Sequence, residues 1–136
     1  MSRSFIRFVS AEASEDSGAL EGLFQAAYRM RETGAFPPHV VEELTKELGW
    51  FESHLSRPIV YRPRGVDKRR AICWFKETAV EHVQRAQRLA AILRRHGMEV
   101  RQLRTQTPGR LVHEDVQQVM AVPFRDTIAP RRRLAR

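Results

Sequence analysis

One stretch constrains the fold more than any other: residues 70–124, where an apolar run is followed by an amphipathic helix, a second extended run and a hairpin. Ala71 to Phe75 reads AICWF, a short continuous apolar segment of the kind that fills a central strand covered on both faces. Ala79, Val83, Ala86, Ala90 and Leu93 then recur at helical spacing, with Leu89 at the edge of their stripe. Thr78 and Glu81 have the T-x-x-E spacing of a capping box. Glu81 and Arg85 fall at i,i+4. Arg94, Arg95 and His96 occupy the last turn, where the helix dipole favours cations, and Gly97 supplies a left-handed stop. Met98 to Thr105 is extended and charged, so it is expected as a strand with one wet face. A strand-helix-strand crossing permits parallel pairing of its two strands.

Downstream, Pro108-Gly109 is a turn signal. Leu111–His113 and Val119–Val122 read as hairpin strands around Glu114-Asp115, and Pro123 ends the second, because proline cannot donate to a ladder. Upstream, Phe5 to Val9 reads as an opening strand. Leu20, Leu23, Phe24, Ala27 and Met30 trace a helix face ending at Gly34, with its N-cap expected at Ser14 or Ser17. Pro37-Pro38 opens a second helix with a stripe of Val41, Leu44, Leu48, Phe51 and Leu55. Ile59 to Tyr61 reads as a short strand. The expected fold is a single α+β domain over residues 1–124. An antiparallel-rich sheet is covered on one face by helices near 18–33, 37–55 and 78–96. A ferredoxin-like core plus a C-terminal hairpin fits this order. Residues 125–136 are expected as a basic, flexible tail.

Charge narrows the function classes. Residues 1–60 hold 6 Lys+Arg against 9 Asp+Glu, and residues 61–136 hold 18 against 7. Arginine outnumbers lysine 21 to 3, which GC-rich codon usage would produce unaided. Codon usage does not account for the asymmetry between the halves, which points to an anionic partner. The loop RPRGVDKRR brings Arg62, Arg64, Lys68, Arg69 and Arg70 together. The third helix adds Arg85, Arg88 and Arg95, and the tail adds Arg131, Arg132 and Arg133. Arginine's planar fork suits phosphate. No RNP, KH or helix-turn-helix pattern supports reading of base sequence.

Other chemistry finds little support. Cys73 is the only cysteine, which excludes an internal disulfide, and its apolar strand makes it a buried structural thiol. No cofactor motif or metal spacing occurs, so no cofactor and no metal are expected. His113, Glu114 and Asp115 form the best cluster for acid–base chemistry, but a hairpin turn with solvated acids and a histidine paired across the strands is the favoured reading of them. Trp50 lies off its helix's apolar stripe, and Ile92 stands among the outer-face arginines. Both are candidate partner contacts, although a ring folded over the helix edge is the ordinary reading of Trp50. No run approaches the ~20 apolar residues of a membrane span or the length of a signal peptide, so a cytoplasmic protein is expected.

Several motifs carry a resemblance. VVEELTKELGWFESHLSRP, ICWFKETA, HGMEV and RTQTPGRLVHEDVQQVMAVPF, spanning roughly residues 40–124, resemble a family of small uncharacterised bacterial proteins. In that family a Trp-Phe-Lys strand precedes a helix, and a Pro-Gly turn leads to a hairpin with Glu-Asp that ends Gln-Val-x-Ala-x-Pro. This chain departs at His113, where that family has an aromatic residue. The resemblance implies a fold and no activity.

Two function readings follow. The first is a non-catalytic protein that binds the phosphate backbone of DNA or RNA with little sequence preference. The second is a protein-interaction module, an inhibitor, immunity or adaptor protein docking on a larger complex, with an acidic protein surface as the partner. An enzyme is the third and least supported reading.

Overall fold

The computed structural model describes residues 3–13, 20–56 and 71–124. Along these residues run β1 (Phe5–Ala13), β2 (Leu20–Gly22), α1 (Leu23–Glu32), α2 (Pro38–His54), β3 (Ile72–Lys76), α3 (Val80–Arg95), β4 (Val100–Thr105), β5 (Arg110–Glu114) and β6 (Gln118–Val122). The fold is α+β, with an antiparallel sheet and three helices among the described residues.

β1 is the axis of the sheet. β4 pairs along one edge of it, from Phe5 opposite Thr105 to Ser10 opposite Val100. The other edge is shared. β3 takes its start, with Ile6 opposite Phe75, and β2 takes its end, with Val9 opposite Gly22. β6 then pairs with β3, and β5 with β6. Every pairing is antiparallel, so β3 and β4 run parallel to each other with β1 between them. The direct parallel pairing that the crossing through α3 permits therefore does not form. β1 takes that place and makes a split β-α-β unit, the ferredoxin-like arrangement. The position on the far side of β3 is filled by β6, from the C-terminal hairpin. The strand expected at Ile59–Tyr61 lies outside the described residues.

Both faces of the sheet are apolar. On one face Ile6, Phe8, Phe75 and Val100 meet Leu23 of α1, Leu44, Leu48 and Phe51 of α2, and Leu89 and Leu93 of α3. On the other, Phe5, Ile72, Trp74 and Val119 form a second cluster with Leu103 against it. Two covered faces explain why β1 and β3 lack the polar-apolar alternation of a half-wet strand. In the β4–β5 connection Gly109 has φ +133°, and a Cβ there would stand 2.2 Å from the Val122 carbonyl oxygen. Only glycine passes so close to β6.

The helix boundaries correct three expectations. α1 begins at Leu23, after the short strand β2, with Gly22 as its N-cap, while Ser14 and Ser17 lie outside the described residues. α3 begins at Val80, and its N-cap is Ala79, with no side-chain capping bond. Thr78 sits in the preceding turn, which the Ala79 N–H closes onto the Lys76 carbonyl, so the capping box does not form. Ile92, expected on the outer face, is 4 % exposed and belongs to the main core. α3 is sandwiched between α2 and the sheet, which widens its buried face beyond the stripe read from Ala79 to Leu93.

Candidate nucleic-acid interface

The described fold is almost neutral. Residues 57–70 and 125–136 together hold 11 Lys+Arg against 2 Asp, while residues 3–13, 20–56 and 71–124 hold 13 Lys+Arg against 12 Asp+Glu. Most cations of the described fold are also matched locally. Arg104 meets Glu77 at 2.6 Å, Lys76 meets Glu114 at 2.7 Å, and Arg29 meets the buried Glu21 at 2.9 Å. Arg29 donates to both Glu21 carboxylate oxygens, from Nε at 2.9 Å and Nη2 at 3.0 Å, and these bonds raise its pKa.

Of the expected interface residues, the structure describes the three on α3. Arg85 does not meet Glu81. It turns toward α2, 3.8 Å from Glu47, with its guanidinium 4.6 Å from the Trp50 ring centroid. Arg95 lies 3.4 Å from Glu43 of the same helix. Arg88 is exposed and has no acidic partner among the described residues. Arg62, Arg64, Lys68, Arg69, Arg70, Arg131, Arg132 and Arg133 lie outside the described residues.

The attachment points of the two basic segments are described. Residues 57–70 leave from Ser56, whose carbonyl accepts from Gln118 Nε2 at 2.7 Å and whose hydroxyl donates to Asp115 Oδ2 at 3.0 Å. They return at Ala71, one residue before Ile72, which faces Ala121 of β6. Residues 125–136 follow Phe124, two positions after Val122 at the end of β6. The return of the first segment and the departure of the second therefore share one end of the β3–β6 pair. Arg110 stands opposite Val122 at that same end, exposed and without an acidic partner among the described residues. Phe124 is 48 % exposed beside it. Sequence reasoning missed Arg110. Its position after the Pro-Gly turn was visible, but not its neighbours across the hairpin.

The candidate partner contacts look inward. Trp50 packs against the main core, stacks on His54 at 4.3 Å with the rings 5° apart, and meets His82 edge-on at 5.0 Å. With Arg85 over it as well, the ring is folded over the helix edge. Burial leaves Ile92 no surface to offer a partner.

His113, Glu114 and Asp115 divide between the two faces of the sheet. Glu114 joins Lys76 and Arg3, whose hydrogen bonds hold its carboxyl below the usual range. Asp115 Oδ1 accepts from the backbone N–H groups of Gln117 and Gln118 at 2.9 and 3.1 Å, and Oδ2 from His113 Nε2 at 2.9 Å. Burial pushes its pKa up, yet the bonds from His113, Gln117, Gln118 and Ser56 outweigh that and hold it at about 2. This carboxylate is a fixed knot for the hairpin turn. No group of three or more metal-type ligands occurs among the described residues.

Cys73 corrects another expectation. It is exposed rather than buried, because it opens onto a concave pocket beside α1. Surrounding protein still raises its pKa, against the pull of the nearby Arg7 charge, so the sulfur is a protonated thiol at neutral pH. No helix among the described residues is long and apolar enough to cross a membrane. No family model, curated protein or solved structure matches the chain.

Proposed function

We propose that this protein binds the phosphate backbone of nucleic acid, without catalysis and with little sequence preference. The supporting observation is the partition of charge. A near-neutral domain carries two strongly basic segments, and the return of the first and the departure of the second share one end of the β3–β6 pair, beside Arg110, which has no acidic partner among the described residues. Arginine-rich segments neutralise phosphates and release counterions, and this makes binding fall steeply with salt.

The test is a salt titration of binding to single- and double-stranded DNA and RNA, read by fluorescence anisotropy. On duplex DNA the slope of log K against log salt should be about −0.9 per phosphate neutralised. Replacing Arg62, Arg64, Lys68, Arg69 and Arg70 with serine should flatten the slope by several units of contact. Ending the chain at Phe124 should do the same. Arg110→Ala should remove about one contact. Arg85→Ala and Arg95→Ala should leave the slope unchanged, because Glu47 and Glu43 already occupy those guanidinium groups. No binding at about 50 mM salt, where such contacts are strong, would overturn the proposal and favour an acidic protein partner.

A further inference from the structure

The second edge of β1 has a split in it. β3 pairs with β1 only as far as Ile6, and β2 takes over at Val9. Arg7 lies across the gap. Its Nη1 donates to the Cys73 carbonyl of β3 at 3.0 Å, and its Nη2 to the Leu20 carbonyl of β2 at 3.1 Å. Gly22 lets the guanidinium in, since a Cβ there would stand 3.1 Å from Nη2.

Bracing two strands explains part of this arrangement but leaves its charge unmatched. Both acceptors are neutral carbonyls, and Arg7 has no acidic partner among the described residues. Burial lowers its pKa only to about 10, so it is a cation at neutral pH. Nε is buried and has no hydrogen-bond partner among the described residues. A guanidinium has five N–H donors, so one proton on each Nη is also left over. The gap opens onto a cavity of about 270 Å³ bounded by Phe24, Leu55, Gln25 and Gln118, with Cys73 in its wall. Unmatched guanidinium donors beside an apolar hollow call for an acceptor from outside.

We propose that this cavity is a binding site for a small organic anion, an apolar body ending in a carboxylate or a phosphate. The anionic group would sit on the Arg7 guanidinium, with the body against Phe24 and Leu55. The site is separate from the basic segments and stands whether or not the chain binds nucleic acid.

Cys73 supplies the readout, as the only cysteine of the chain and a wall of the cavity. Its alkylation by iodoacetamide is followed by mass spectrometry with benzoate, phenyl phosphate or neutral benzamide present. A ligand at ten times its dissociation constant leaves about a tenth of the sites open, so the matching anion should slow alkylation about tenfold. Whichever of benzoate and phenyl phosphate protects more assigns the anionic group. Benzamide should not protect. Arg7→Gln should react at the unprotected rate whatever is added. Should that variant fail to fold, benzoate against benzamide in the unaltered chain carries the same decision, because they share a shape and differ in charge. The chain ending at Phe124 should show undiminished protection, which separates this site from nucleic-acid binding. Protection by benzamide equal to that by the anions, or by none of the three, would overturn the proposal and leave Arg7 as a brace.

Discussion

Asp115 ties together parts of the chain that are far apart in sequence. Its carboxylate orders the β5–β6 turn through two backbone N–H groups and holds Ser56 at the end of α2. A depressed carboxylate pKa stabilises the fold above its unfolded value and loses that effect as pH falls through the folded value. For Asp115 the window runs from about 3.8 down to about 2. Asp115→Asn turns an acceptor into a donor facing Ser56, His113 and Gln118. After allowance for solvent screening, it should cost about 1–2 kcal/mol at neutral pH. Urea denaturation of both chains at several pH values checks this. The gap should be constant near neutrality and close between pH 4 and 2, and a gap indifferent to pH would show that the ionised form is not what matters.

At the scale of the element, α3 is the best-read and also the most misread part of the chain. Its stripe was visible, and Val83, Ala86, Leu89, Ala90 and Leu93 are all buried. Its outer face was not, because α2 lies against it. Glu43 and Glu47 take up Arg95 and Arg85, Trp50 lies under Arg85, and Ile92 is enclosed. Ile92→Ala should therefore cost about 2–4 kcal/mol of stability, as for a buried aliphatic side chain cut back to a cavity. The same variant should bind nucleic acid with an unchanged salt slope. Thermal denaturation beside the anisotropy titration separates the two effects. A variant with unaltered stability but weaker binding would put Ile92 back on a surface.

For the whole molecule, packing and charge are divided between different residues. Both apolar clusters lie within the near-neutral described fold, and the charge excess lies in residues 57–70 and 125–136. Stability and binding should then respond differently to salt. With 13 cations nearly balanced by 12 anions, the domain has little self-repulsion for salt to screen. Its melting temperature should change by no more than a few degrees between low and physiological salt, while binding weakens by orders of magnitude. The chain ending at Phe124 should melt as the full chain does. A large loss of stability in it would give residues 125–136 a structural part.

The sequence by itself determined the fold class, the second and third helices, the central strand and the hairpin. These rest on local periodicity and on Pro and Gly at positions where the backbone must stop or turn, information carried within a few residues. It also determined the uneven charge, since counting needs no coordinates. Tertiary structure decided who meets whom. β1 entered between β3 and β4 because strand order depends on which edges are free, and no local pattern encodes that. Arg7 was a lone cation in FIRFVS until the split between β2 and β3 surrounded it with carbonyls and an apolar hollow. Cys73 was in an apolar strand, yet its side chain opened onto that hollow. Arg85 stood four residues from Glu81 but paired with Glu47, because an acid on a packed neighbouring helix is held in place, whereas one on the same exposed face competes with water. Residue type set what each group could do, and the packing of distant segments set which partner it met.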